Sequence, residues 1–187
     1  MAKRERPIQP PHLARRLYYS SFITLASVAS SVHNGVLDCS CLAALVLATS
    51  LNYWRRPVRG VRRNLDIAAA VGSLTYQSLI VAPGVADAGA RLAYGASLVA
   101  AGSCYAAALA ADRLLRRKSL ACACHIGLHV CANAGNVLLY DALGENALGW
   151  ERTGGGGGYV ANGAAGRGWF WWWWAWGAAG GDGASPR

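Results

Sequence analysis

Residues 42–71 read LAALVLATSLNYWRRPVRGVRRNLDIAAAV. Two apolar runs flank a short loop that carries Arg55, Arg56, Arg59, Arg62 and Arg63. Pro57 cannot continue a helix and biases the residue before it away from helical geometry. Tyr53 and Trp54 stand at the end of the first run, where aromatic side chains favour a membrane–water boundary. A membrane hairpin with a basic loop accounts for all of these features together.

The same charge recurs in alternate connections. The N-terminal tail holds Lys3, Arg4, Arg6, Arg15 and Arg16, and the connection after the fourth apolar segment holds Arg113, Arg116, Arg117 and Lys118. The intervening connections are nearly free of it: residues 34–38 contain no Lys or Arg, and residues 83–91 contain only Arg91. Short basic loops resist translocation, so they mark the cytoplasmic side. The expected architecture is therefore all-α: a polytopic transmembrane helix bundle of about five spans, N-terminus inside and C-terminus outside.

The spans fall at 17–33, 38–53, 65–82, 88–111 and 119–140. Each is near the roughly 20 residues needed to cross about 30 Å of hydrocarbon, and backbone groups in lipid must pair internally, which selects helices. Ala, Gly and Ser are frequent in them, as close helix packing requires, and a homo-oligomer through such faces is an expected partner arrangement. Three regions follow: a basic cytoplasmic tail at 1–16, a five-helix bundle at 17–143, and a low-complexity Gly/Trp-rich tail at 144–187, expected to be disordered. That tail holds Gly154–Gly158 and Trp171–Trp174. A basic start, a short apolar run and Ser27-Val28-Ala29 also resemble a cleavable signal peptide. Retention is expected, because the polar residues of that segment are ordered. The competing reading, a water-soluble helical bundle, fits poorly with the charge alternation and with only 14% charged residues.

With 187 residues and 54% hydrophobic content, the chain has room for one small bundle and no large soluble domain. Its net charge of +9 sits almost wholly beside the apolar segments. The partners this implies are the lipid bilayer and anionic headgroups on the cytoplasmic face. No nucleic-acid motif accompanies the charge, so nucleic acid is not expected. The P-loop, G-x-S-x-G and dinucleotide fingerprints are lacking too. Six cysteines at 39, 41, 104, 122, 124 and 131 form no C-x-x-C pair and no disulfide-scaffold spacing.

Polar residues inside the spans recur at helical spacing. His125, His129, Asn133, Asn136 and Tyr140 follow one another at four, four, three and four residues. That spacing gathers them on one helix face. Ser20, Thr24, Ser27 and Ser31 share a face of the first span; Asp66, Ser73 and Gln77 share one of the third; Tyr94, Ala101, Tyr105 and Asp112 share one of the fourth. Polar groups facing lipid are costly, so these stripes are expected to converge inside the bundle. Helix-to-helix hydrogen bonding explains the Ser and Thr positions without invoking chemistry.

The histidine pair His125-Ile126-Gly127-Leu128-His129 is the sharpest chemical candidate. An i, i+4 spacing places two imidazoles where they can share a zinc ion, or serve a haem. With Ser30, His33 and Asp38 on the first hairpin, the pattern resembles the alkaline ceramidase and adiponectin-receptor superfamily of seven-span hydrolases. That resemblance implies a membrane-embedded zinc hydrolase. Depth argues against it. His33 falls at the outer end of its span and His125 near the inner end, roughly 15 Å apart by helix rise. Metal ligands must approach to about 2 Å. No catalytic role is carried over. The stretch Thr49–Pro57 followed by Arg63-Asn64-Leu65-Asp66 also resembles small multi-span membrane proteins of microbial eukaryotes and large viruses, for which no activity is implied.

An inner-face site satisfies depth better. Asp66, Asn52 and His125 lie near one level, with His129, Asn133 and Asn136 following along the last span and Arg55 and Arg63 at the headgroup rim. This set is the candidate polar intramembrane site, and His125 and His129 are its candidate metal ligands. Three functions remain in view. The first is a structural or accessory polytopic membrane protein, the second a small-solute or proton-coupled transporter, and the third a metal-dependent hydrolase or redox protein.

Overall fold

The computed structural model describes residues 7–152, with side chains through Gly144. The basic residues Lys3, Arg4 and Arg6 and the runs Gly154–Gly158 and Trp171–Trp174 lie outside the described residues, as does the expectation of disorder in the tail beyond residue 152.

The described chain is all-helical: α1 (Pro11–Ser20), α2 (Thr24–His33), α3 (Leu37–Trp54), α4 (Val61–Tyr76), α5 (Ala88–Arg113) and α6 (Lys118–Arg152). Four segments are long and apolar enough to cross a membrane: Leu37–Trp54, Val61–Gly84, Ala88–Arg113 and Lys118–Gly144. They match the second to fifth expected spans to within a few residues. The first expected span takes a different form. Here α1 and α2 are joined by a 3-10 turn, Ser21–Ile23, into one helical rod from Pro11 to His33. The rod is about 35 Å long. The hydroxyls of Ser20 and Ser21 both donate to the Leu17 carbonyl, at 2.9 and 3.0 Å. Such back-bonding from serine competes with the helical ladder and tightens or bends it locally.

Local chemistry sets each turn. At the end of α2, Gly35 takes φ +71°. Its N–H bonds to Val32 at 3.2 Å and the Val36 N–H bonds to Ser31 at 2.8 Å. This is the paired C-terminal closure that a left-handed glycine permits, and the apolar residue after it, Val36, is buried. Beyond α4 the helix widens to a π-turn, Gln77–Val81, then tightens to a 3-10 turn, Ala82–Gly84, which contains Pro83. Proline removes one ladder donor, and the irregular turns spread that loss. Asp87 starts α5 by accepting from the backbone N–H groups of Gly89 and Ala90. At the next turn Lys118 pairs with Asp112 at 2.5 Å.

The α1–α2 rod, α3, α4, α5 and α6 reverse direction in turn. The α1–α2 rod packs against α3 and α6, α3 packs against α4, and α6 packs against α5. One end of the bundle is closed by Leu13, Leu17, Tyr53, Trp54 and Cys122; the other is closed by Val36, Cys39, Val85, Tyr94, Leu139 and Tyr140. Arg15, Arg16, Arg55–Arg63 and Arg113–Lys118 all gather at the first end. Of the described Lys and Arg side chains, only Arg91 lies at the second, where it donates to the carbonyls of Val85 and Ala86. The charge alternation in the sequence thus becomes a basic end and an opposite end.

The boundary at residue 143/144 shifts. The α6 helix does not stop there but runs on to Arg152. Residues 145–152 contain no proline and only one glycine, Gly149, so nothing in them breaks a helix.

Between α5 and α6 the backbones approach closely at two glycines. A Cβ on Gly135 would lie 2.8 Å from the Ser97 Cβ, and one on Gly127 would lie 3.1 Å from the Cys104 Sγ. These are the small residues through which membrane-type helices bring their backbones together.

Candidate functional site

The α1–α2 rod and α6 run parallel, joined by polar contacts along their length. The Cys122 thiol faces the Leu13 carbonyl, at 3.8 Å. Ser20 and His129 are 3.0 Å apart, Ser27 donates to Asn133 at 2.6 Å, and Ser30 and Asn34 both donate to Asp141, at 2.7 and 2.8 Å. Ser20, Thr24, Ser27 and Ser31 are buried, as their stripe predicts, and Ser27 and Ser31 are wholly so. Asn133 is buried opposite them and donates onward to the His129 carbonyl at 2.7 Å. The contacting residues recur at three, four, seven or eight positions on each helix, so they keep to one face of each, and the result is a polar seam.

The Ser20 hydroxyl oxygen lies 2.9 Å from the Leu17 carbonyl and 3.0 Å from the His129 Nδ1, so it joins the rod to the imidazole. His125 lies one turn earlier, its ring centroid 5.0 Å from that of His129, the planes inclined at 72°. The buried Trp54 meets the other side of His125 edge-on at 5.3 Å. Both imidazoles are half-buried.

A second cluster sits at the same end. Asp66 accepts a short hydrogen bond from the Ser50 hydroxyl. Arg63 lies beside both Asp66 and the Tyr53 hydroxyl.

The candidate set from the sequence is thus divided. His125 and His129 are together, and Asn133 joins them through the seam. Asn136 is half-buried one turn farther along. Asp66 belongs to α4 and takes Ser50 as its partner instead. Asn52 is a correction: it is exposed, because Ser50, Tyr53 and Trp54 occupy the inward face of α3 and residue 52 falls between them. Arg55 and Arg63 also part, Arg55 to solvent and Arg63 to the Tyr53–Asp66 pair. Among the described residues, no three His, Cys, Asp or Glu side chains are grouped as ligands for one metal ion. His125 and His129, the candidate metal ligands, therefore stand as a pair, with Asp66 held apart by Ser50.

The Ser30–His33–Asp38 motif is equally separate. Ser30 is tied to Asp141, sixteen residues along α6 from His125. That is about 24 Å of helix. Asp38 accepts a hydrogen bond from the Tyr76 hydroxyl, and His33 is exposed.

Ser20, Ser50 and Asp141 were missed as site residues. Ser20 was read as a member of the polar stripe of the first span but not as a site residue, and Asp141 directly follows the last residue of the α6 stripe, Tyr140. Ser50 lacks such a signal, because one serine in an Ala-rich helix looks like any small residue.

No protein-family model, curated protein or solved structure matches this chain.

Proposed function

We propose that the protein is a multi-pass integral membrane protein with a structural or accessory role, its basic end on the cytoplasmic side. The four apolar helices and the gathering of Arg and Lys at one end support this orientation. In it, the α1–α2 rod crosses the membrane as a fifth, more polar element, shielded by α3 and α6. A rod of this length matches the hydrocarbon thickness.

The observation that carries the structural role is how the stripes are used. Ser20 is bonded to His129, Ser27 to Asn133, Ser30 and Asn34 to Asp141, and Ser50 to Asp66. Transport of a solute needs polar groups that face a path and exchange partners. Here most of them face one another across helix boundaries, where hydrogen bonds fasten membrane helices. Large apolar side chains, among them Leu45, Leu65, Leu92, Val99 and Leu138, are exposed on the outside and suit contact with lipid.

The test is a flux and metal assay on the reconstituted full chain. Proteoliposomes loaded with a pH-sensitive dye are expected to leak protons no faster than protein-free vesicles. Purified protein and its His125→Ala/His129→Ala variant are expected to carry the same sub-stoichiometric metal and show no haem absorption. Proton flux that depends on His129 would make the transporter reading the better one. One zinc or haem per chain, lost in the variant, would do the same for the metal-enzyme reading.

A further inference from the structure

Cys104 on α5 and Cys131 on α6 stand against each other in the most extensive helix contact of the bundle. The antiparallel register explains how. Ser97 lies opposite Gly135 and Cys104 opposite Gly127, so residue 131 falls opposite Ala101, one turn along α5 from Cys104. Side chains on a helix lean toward its N-terminus. Cys104 therefore leans toward the level of residue 131, and Cys131 leans back toward the level of residue 104. The small residues opposite them, Gly127 and the buried Ala101, leave the space between to the two sulfurs.

Two other cysteines have different neighbours. Cys39 lies against Tyr140, and Cys122 against the Leu13 carbonyl. Spacing along the chain hides the pair, because 27 residues and a reversal of direction separate Cys104 from Cys131.

Depth and ligand number decide the chemistry. Cys104 precedes Arg113, at the basic end of α5, by nine residues, and Cys131 follows Lys118, at the basic end of α6, by thirteen. In the membrane placement proposed above, on which this site rests, these are depths of about 14 and 20 Å, on either side of the middle of a hydrocarbon layer about 30 Å thick. A structural zinc ion takes four ligands, and the pair offers two. A disulfide is neutral and needs two sulfurs alone. Both thiols are free and half-buried, so an oxidant dissolved in the surrounding lipid has access to them. Hydroperoxides of unsaturated acyl chains are oxidants of that kind.

We infer that Cys104 and Cys131 are oxidised by acyl hydroperoxides to a disulfide that fastens α5 to α6. One sulfur attacks the terminal oxygen of the hydroperoxide. The O–O bond breaks, the lipid leaves as its alcohol with the thiol proton, and a sulfenic acid forms. The second sulfur attacks the sulfenic sulfur. The S–S bond forms, and the hydroxyl leaves as water with the second thiol proton. The two thiols give up two electrons, and the hydroperoxide takes both.

The test reconstitutes the full chain in vesicles of palmitoyl-linoleoyl phosphatidylcholine, with and without its hydroperoxide. Free thiols are counted by iodoacetamide alkylation after denaturation, and tryptic peptides are mapped by mass. With hydroperoxide, the wild type is expected to fall from six alkylated cysteines to four, with residues 92–113 joined to residues 119–152. The joined peptide is expected to vanish in Cys131→Ser, although Cys122 and Cys124 remain in the second peptide. Six free thiols in the treated wild type would overturn the inference. So would a joined peptide that persists in Cys131→Ser, since the partner of Cys104 would then be Cys122 or Cys124. A membrane-impermeant maleimide, added to untreated intact vesicles, separates this failure from that of the membrane placement. Cys104 and Cys131 are expected to stay unlabelled. Their labelling would overturn the placement and, with it, the lipid as oxidant.

Discussion

Replacing Gly135 with leucine is expected to pry α5 from α6 and to cost about 3 kcal/mol of stability. Even a Cβ at this position would stand 2.8 Å from the Ser97 Cβ and 3.5 Å from the Tyr94 ring. The Ser97 Cβ is fixed to its backbone and cannot swing away, so relief requires the helices to move apart. Their contact is the most extensive in the bundle. Separation would also disturb Tyr94, whose hydroxyl is 3.1 Å from that of Ser78. Gly135→Ala should cost less, about 1 kcal/mol, since one methyl demands a smaller shift. Thermal unfolding in mild detergent, followed by helical circular dichroism, checks both. A leucine variant that melts with the wild type would show that α5 and α6 do not pack as described.

The second large effect is expected at Asn133. Asn133→Ala removes the acceptor of the buried Ser27 hydroxyl and the donor to the His129 carbonyl together. Both partners lie inside the bundle, where water cannot replace the lost bond. The expected cost is about 2 kcal/mol, near the middle of the range for leaving a buried polar group unpaired. Asn133→Asp is informative beside it. A carboxylate still accepts from Ser27 but cannot donate to His129, and it brings a charge into the bundle. It should be at least as damaging as alanine at neutral pH. A transport role for this residue would instead show as altered flux in a protein of wild-type stability.

Much of the fold was legible because long apolar runs leave few options. Arg55–Arg63 and Arg113–Lys118 announced two connections on one side, and the apolar runs between them had only one way to satisfy their backbones. The same physics made the first span harder to read. Its polar stripe, Ser20 to Ser31, lowers its hydropathy, and only the neighbouring helices explain how that stripe is accommodated. The site was legible in part. Helical periodicity placed His129 and Asn133 on one face of α6 and Ser27 on the polar face of the first span, both expected inside the bundle. It did not separate Asn52 from its neighbours, because Tyr53 and Trp54 read as boundary aromatics and only their burial in the bundle leaves residue 52 exposed. What periodicity could not supply was pairing between helices. Asp66 meets Ser50 rather than the histidines, and the hydrogen bond from the Ile8 N–H to the Pro57 carbonyl involves backbone groups that no side-chain pattern reveals. The end of α6 was misjudged for a different reason. Composition changes at Gly144, but helix-compatible residues continue to Arg152, and a change of character is not a break in the helix.

The central claim is that the polar seam fastens the α1–α2 rod to α6. The most direct measurement is a double-mutant cycle on Ser27→Ala and Asn133→Ala, read as unfolding free energy in a fixed detergent composition. Membrane-embedded hydrogen bonds couple by about 0.6 kcal/mol on average, with the strongest near 1.7. Two buried partners 2.6 Å apart should fall in the upper half of that range. A coupling of about 1 kcal/mol or more is therefore predicted. Strict additivity of the two substitutions would contradict the account, because it would mean that Ser27 and Asn133 do not meet.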